Sequence, residues 1–193
     1  GRASCRFEPT DEDLMPSSKR PTIFFLSFLA IFALDVSPVI ADPLDWPNWR
    51  GPQQDRISLE TGLPTRWDPK GGAGSNVVWE RSDLGGISTP VVLDGMLYTI
   101  VRSEPGTSRE GEKVVCVDAA TGEKIWENKF NVYLSDVPDT RVGWSSCVAD
   151  PETGNIYALG VCGLFQCLDG KTGKTLWSHS LHEEYGLLST YGG

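Results

Sequence analysis

Residues 167–177, Cys-Leu-Asp-Gly-Lys-Thr-Gly-Lys-Thr-Leu-Trp, decide the fold of this chain. Residues 116–126 read Cys-Val-Asp-Ala-Ala-Thr-Gly-Glu-Lys-Ile-Trp, 51 positions earlier. The Cys, the Asp, the Thr, the Gly and the Trp coincide in the two stretches. This agreement indicates an internal repeat, and an internal repeat sets the architecture of the chain that carries it.

Each copy of the repeat predicts a β-hairpin. Residues 114–117 are β-forming, and a second run with apolar residues begins at Lys124. Asp118 is placed to accept hydrogen bonds from the backbone of the turn, and Gly122 allows the positive φ with which the chain reverses. We therefore expect two strands joined by a connection of about four or five residues.

One Trp follows each turn at a fixed distance, which suggests a large side chain wedged between successive sheets. We predict that Trp126 and Trp177 are buried there and that each indole N–H has a partner. The residues assigned to the structural motif are Asp118, Thr121, Gly122, Trp126, Asp169, Thr172, Gly173, Trp177 and, from an earlier half-copy, Trp79.

The pattern Val-Asp-x-x-Thr-Gly-x-x-x-Trp resembles the tryptophan-docking motif of PQQ-like (quinoprotein-type) β-propeller repeats. The resemblance covers residues 76–193 and implies an all-β fold, a β-propeller of four-stranded antiparallel blades. In that family the motif forms the last two strands of a blade, and its Trp docks on the next blade. Fold of this kind does not fix function, because such propellers serve unrelated roles.

The chain is expected to hold two blades. The first has strands at 87–92, 96–101, 113–118 and 123–130, and the second at 144–148, 155–159, 164–169 and 174–181. Residues 76–81, with Trp79, are expected to form a strand that closes the ring, and a third blade starts at 187–191. Because propellers typically close with about 4–8 blades, we expect a truncated reading of a larger protein.

The first 75 residues divide into three segments. Residues 1–14 are an upstream extension. Residues 15–41 read as a secretory signal peptide, with a basic Lys19-Arg20, an apolar run at 23–34 and cleavage after Ala41. The alternative is an uncleaved anchor, but the run is short against the ~20 residues that a bilayer span needs. Residues 42–75 form an irregular lead-in.

The expected signal peptide implies export to the periplasm or the extracellular space, and an acidic chain suits that environment. The net charge of −9 argues against a nucleic-acid partner, and no membrane span is expected after signal cleavage. Four cysteines follow the leader, and their even number leaves disulfides open in three connectivities. We expect thiols instead, because a hairpin with its tip at residues 162–163 would place Cys167 opposite Ala158 rather than Cys162.

The lead-in carries Trp46, Trp49 and Arg50 within Trp-Pro-Asn-Trp-Arg-Gly-Pro. It is similar to the segment before the propeller in many exported PQQ-like repeat proteins, notably planctomycete-type ones, although Arg56 stands where that segment often carries Gly. One interpretation makes the three residues a ligand surface. The other, which we favour, makes the aromatic rings staples that hold an irregular segment on the propeller.

We assign no catalytic, cofactor-binding or metal-binding residue. The resemblance implies that a PQQ-dependent dehydrogenase would need a catalytic Asp, calcium ligands, a stacking Trp and adjacent cysteines, and the chain has no adjacent pair. Trp144, expected on a strand, is interpreted as a core or inter-blade residue rather than a stacking one. His179 and His182 are too poorly placed for a metal site, because i and i+3 face opposite sides of a strand. PQQ is possible if further blades supply the site.

Three functions remain. The leading one is a non-catalytic, exported scaffold or binding module with protein partners, similar to the propeller subunit of the outer-membrane protein assembly machinery. The second is a fragment of a PQQ-dependent quinoprotein dehydrogenase. The third is the propeller appendage of a Ser/Thr kinase-related signalling protein. The sequence names no ligand or partner.

Overall fold

A computed structural model describes residues 45–132 and 139–186. The predicted extension, signal peptide and third blade lie outside the described residues. The strands are β1 (Val91–Leu93), β2 (Met96–Ser103), β3 (Gly111–Asp118), β4 (Lys124–Asn131), β5 (Val148–Ala149), β6 (Asn155–Leu159), β7 (Leu164–Asp169) and β8 (Thr175–Ser180). Helix α1 (Leu181–Tyr185) follows β8, and short 3-10 turns lie at Ser82–Leu84 and Asp139–Arg141.

The described strands form two antiparallel four-stranded sheets in the orders β1-β2-β3-β4 and β5-β6-β7-β8. Each sheet is a meander in which neighbours in sequence are neighbours in space. A register shift interrupts β3 between Cys116 and Val117, and β7 between Cys167 and Leu168. The same irregularity at the same repeat position shows that the two sheets are structural copies. The predicted class, an all-β partial propeller of four-stranded blades, is confirmed.

The core lies between the two sheets. Tyr98, Ile100 and Val114 of the first blade pack with Ile156 and Leu168 of the second in one buried cluster. Burial of aliphatic and aromatic side chains from both sheets is the main force that joins consecutive blades. In the part of the chain that the structure describes, no helix is long and apolar enough to cross a membrane.

The innermost strands are shorter than predicted. The first, expected at 87–92, is Val91–Leu93, and the second, expected at 144–148, is Val148–Ala149. Pro90 has no N–H to give to a ladder. The backbone N–H of Thr89 donates to the hydroxyl of Ser146 at 2.9 Å. The segments before these strands are therefore held by side-chain bonds between blades instead of strand pairing.

Three further expectations are wrong in detail. Residues 76–81 form no strand among the described residues. Cys167 pairs with Tyr157, not with Ala158, because the reversal takes up Gly160 to Gly163 and shifts the register by one. The strand expected at 174–181 ends at Ser180, whose hydroxyl accepts the N–H of Glu183 and caps α1.

A fully buried carboxylate crosses the interface between the blades. Glu112 of β3 has 0% of its surface exposed. Its Oε1 accepts the N–H of Gly143 at 2.7 Å and its Oε2 accepts the N–H of Val161 at 2.9 Å. Burial raises the pKa of Glu112 above its usual range, and the two N–H donors oppose that rise without cancelling it. Glu112 thus ties the first blade to two loops of the second.

We expect the contribution of Glu112 to the free energy of unfolding to decrease as pH rises from about 4.5 through its raised pKa. In that window the folded state binds more protons than the unfolded state, so the contribution of Glu112 to the free energy of unfolding falls as pH rises. Carboxyls with lowered pKa, such as Asp83 at about 2, act in the opposite sense at lower pH. The measurement is therefore the free energy of unfolding of the wild type in urea minus that of Glu112→Gln. It is made at several pH values between about 4 and about 8. A difference that rises with pH would contradict the assignment.

Candidate functional site

The Asp-x-x-Thr-Gly turns are small hydrogen-bonded units. Oδ1 of Asp118 accepts the N–H of Thr121 at 2.8 Å and its hydroxyl at 3.0 Å. Oδ1 of Asp169 does the same for Thr172, at 2.8 and 2.7 Å. These bonds to Thr lower the pKa of both carboxyls, so the Asp residues are ionised turn formers.

A third turn of this kind lies between β5 and β6. Asp150 receives the hydroxyl of Thr153 at 2.6 Å, and the N–H of Gly154 donates to the carbonyl of Asp150 at 2.8 Å. No Trp follows this turn at the motif distance, so the sequence pattern does not identify it as a copy of the motif. Gly154 has a φ of +71° and open space beside it.

The indole of Trp126 seats on the turn of the second blade. Its ring lies against Gly173, and its N–H donates to the carbonyl of Gly170 at 2.8 Å. An added Cβ at Gly173 would lie 2.5 Å from Cδ2 of the ring. Trp126 is 8% exposed, and its ring centroid is 5.9 Å from that of Tyr98. This residue occupies the position expected of a docking Trp.

Trp79 makes the same contact one blade earlier. Its indole N–H donates to the carbonyl of Ala119 at 2.9 Å, and a Cβ at Gly122 would lie 2.7 Å from its Cδ2. Ala119 and Gly122 are the repeat equivalents of Gly170 and Gly173. The segment around Trp79 therefore docks on the first blade through side chains, although it is not a strand.

The side chain two residues after each of these Trp residues donates a second hydrogen bond to the same turn. Arg81 donates to the carbonyl of Gly122 at 2.8 Å, and the amide of Asn128 donates to the carbonyl of Gly173 at 2.9 Å. Sequence reasoning missed this position, because Arg and Asn look unrelated. The signal was their common spacing from Trp79 and Trp126 together with their common ability to donate.

Trp177 differs from the prediction, because 40% of its surface is exposed. In the described residues no docking turn lies against it. Its ring instead contacts Phe165, with a centroid distance of 5.3 Å, and Tyr157, at 6.0 Å, both in its own blade. His179 stands at the second-donor position and contacts Glu184, with 2.8 Å between Nδ1 and Oε1.

The lead-in forms a strap, residues 45–51, along the inner strands of both blades. Trp46 exchanges two backbone hydrogen bonds with Val92 of β1, at 2.8 and 2.9 Å. The carbonyl of Pro47 accepts the N–H of Ala149 of β5 at 2.7 Å. The ring of Trp46 packs on Gly51, where a Cβ would lie 2.7 Å from it. The backbone of Trp46 therefore joins the strap to β1, whereas its ring packs within the strap and is not the expected aromatic staple.

The side chains of Trp49 and Arg50 lie beside each other. Trp49 is 54% exposed. The guanidinium of Arg50 lies 5.8 Å from its ring centroid, and that of Arg56 lies 5.2 Å away. Arg56, which stands where the resemblance expects Gly, has a φ of +69°, a conformation that Gly adopts without strain. That conformation costs a residue with a Cβ about 1–2 kcal/mol of strain energy.

Trp144 is neither on a strand nor in the core, which corrects both expectations. It is exposed, and the guanidinium of Arg141 lies 3.8 Å from its ring centroid. Its place is in the irregular segment before β5, where the strand begins later than expected.

The potential metal ligands of the described ranges include the cysteines. Within the described ranges, no three His, Cys, Asp or Glu residues are grouped to hold a metal ion. Cys116, Cys147 and Cys167 are buried thiols, and burial raises the pKa of Cys116 and of Cys147 to about 12. Thiols of this kind behave as small core hydrophobes and are unreactive near neutral pH.

Comparison with known proteins agrees with this geometry. Residues 110–190 match the family described as outer membrane protein assembly factor BamB. A curated relative, the quinohemoprotein alcohol dehydrogenase ADH IIB of Pseudomonas putida, is 30% identical over 96 residues, which are 47% of this chain. The aligned part spans 12% of that relative's own length.

Two solved structures are similar at lower identity. The quinohemoprotein alcohol dehydrogenase from Comamonas testosteroni is 22% identical, with a TM-score of 0.49 over 75% of this chain and 20% of its own. BamB from Moraxella catarrhalis is 17% identical, with a TM-score of 0.32 over 48% of this chain and 22% of its own.

The repeated blades, the family match and the curated relative define the class of the protein. They support a partial β-propeller whose blades are similar to PQQ-like repeats, as the docking motif predicted.

Proposed function

We propose that the chain is a non-catalytic, exported binding module whose propeller contacts protein partners. The observation that carries this proposal is the strap. β1 and β5 are the strands through which the two sheets approach each other, and strap residues hydrogen-bond to both. The blades of a propeller surround a central channel, and the strap occupies backbone groups of the innermost strands on that side of the described blades.

The chemistry of the repeat residues also favours a structural role. The carboxylates of Asp118, Asp150 and Asp169 are each engaged by a Thr of their own turn. A general base needs a carboxylate that is free to reach a substrate proton. These three carboxylates are therefore accounted for as turn formers, which supports a structural role for the repeat.

Two observations favour protein partners outside the cytoplasm. The family match is to a protein described as an outer membrane protein assembly factor. The N-terminal sequence has the pattern of a cleaved leader, which would release the chain to the periplasm or the extracellular space. The acidic net charge of −9 disfavours nucleic acid as the partner.

A fragment of a quinoprotein dehydrogenase is the second candidate. The curated relative at 30% identity is a quinohemoprotein alcohol dehydrogenase, and this observation supports the candidate. In that case residues outside the aligned region would supply the cofactor site, and the described blades would support it from one side.

A cofactor-binding assay distinguishes the two candidates. The purified chain is dialysed with PQQ and calcium, and dye-linked oxidation of a panel of alcohols and sugars is then measured. We expect binding below stoichiometry and no turnover above background. A parallel sample of a known quinoprotein dehydrogenase shows that the assay works. Stoichiometric binding with turnover would overturn the scaffold proposal and support the enzyme.

A further inference from the structure

An exposed cation–aromatic cluster lies at the end of the strap and just beyond it; it is formed by Trp49, Arg50 and Arg56, and we call it the Arg–Trp cluster. Both guanidinium groups lie within 6 Å of the Trp49 ring, at 5.8 and 5.2 Å from its centroid. Neither forms an ion pair with a carboxylate in the described part of the chain. Two unpaired guanidinium groups on a chain of net charge −9 are available for an external anion.

Arg50 gives an independent sign of a missing partner. Its Nε is buried and has no hydrogen-bond partner in the described residues. A buried donor without an acceptor is unfavourable, and such groups call for an explanation such as an absent ligand. Its backbone is well fixed, since its N–H donates to Oδ1 of Asn48 at 3.0 Å and its carbonyl accepts the N–H of Arg56 at 2.9 Å.

The backbone conformation of Arg56 supports the same inference. It holds a φ of +69°, a conformation that Gly adopts without strain. Strained positions of this kind cluster at ligand-binding sites, where the side chain is needed. The bond from Arg56 to the carbonyl of Arg50 closes the segment, so that both guanidinium groups lie beside one indole ring.

We propose that the Arg–Trp cluster is a docking site for an acidic peptide segment that carries an aromatic side chain next to a carboxylate. A guanidinium fork matches a carboxylate bidentately, and the exposed part of the indole can contact the neighbouring aromatic side chain. Two cationic groups suit a short acidic segment, whereas the acidic chain as a whole repels an extended polyanion. The inference rests on the proposed function, for which it names the chemistry of the partner.

The test uses the full chain and a fluorescent peptide of alternating Glu and Phe, with the Gln–Phe peptide as its neutral match. Arg56→Gly removes one cation and relieves the positive φ, so the variant should unfold at or above the wild-type midpoint. Arg66→Ala is the control, because Arg66 is also an exposed arginine and lies outside the cluster. Fluorescence anisotropy gives the dissociation constants.

We expect Arg56→Gly to weaken binding of the Glu–Phe peptide at least about tenfold, and Arg66→Ala to leave it unchanged within about twofold. The Gln–Phe peptide should bind at least about tenfold more weakly than its acidic match. Equal binding by wild type and Arg56→Gly would overturn the inference, as would tighter binding of a phosphotyrosine peptide. No peptide binding together with no PQQ turnover would overturn this site and leave the scaffold proposal standing.

Discussion

Replacing Gly173 with Ala is expected to destabilise the protein by about 2–5 kcal/mol. Two costs add together. A Cβ at the φ of +70° is strained by about 1–2 kcal/mol, and the same Cβ would overlap the ring of Trp126, which costs about a further 1–3 kcal/mol. The measurement is the free energy of unfolding in urea, by far-UV circular dichroism.

Gly154 provides the matched control for this change. It lies in the same kind of turn, with a φ of +71°, but a Cβ there would meet open space. Gly154→Ala should therefore show the backbone cost alone, about 1–2 kcal/mol. Equal losses for the two variants would show that the ring of Trp126 does not occupy the space beside Gly173.

Replacing Trp126 with Ala is expected to cost about 3–5 kcal/mol. The change removes a large buried side chain, and it also leaves the carbonyl of Gly170 without its indole donor. Removing Trp177 should cost less, about 1–2 kcal/mol, because 40% of its surface is already exposed. The comparison uses chemical denaturation of both variants under identical conditions.

The order of the two losses is the informative result. Because the ring contacts of Trp177 among the described residues all lie within its own blade, its removal should leave the contact between the two blades intact. A larger loss for Trp177→Ala than for Trp126→Ala would contradict the placement of both residues.

The repeat was predictable because its determinants are local. Asp118 bonds to Thr121 three residues away, and Gly122 reverses the chain directly after it, so both roles can be read from adjacent residues. The Trp at a fixed spacing then suggested docking, which the ring of Trp126 on Gly173 shows between blades. Burial of Trp177 could not be judged in the same way, since burial depends on what lies opposite.

The inner strands and the strap were harder to predict, because their bonds connect residues far apart in sequence. The N–H of Ala149 goes to the carbonyl of Pro47, about a hundred residues earlier, and no local pattern announces such a bond. The buried Glu112 was missed for the same reason, since its donors, Gly143 and Val161, are backbone groups whose residue types carry no signal. Arg56 was noticed as a departure from Gly, but its φ was needed to explain it.

A double-mutant cycle between Trp126 and Gly173 tests the docking of consecutive blades most directly. The free energies of unfolding are measured for Trp126→Ala, Gly173→Ala, the double variant and the wild type. If the ring lies against the glycine, Gly173→Ala should have no steric cost in the Trp126→Ala background. Its loss of unfolding free energy there should equal that of Gly154→Ala. The coupling should then be about 1–3 kcal/mol. Additive losses, with no coupling beyond about 0.5 kcal/mol, would contradict the contact.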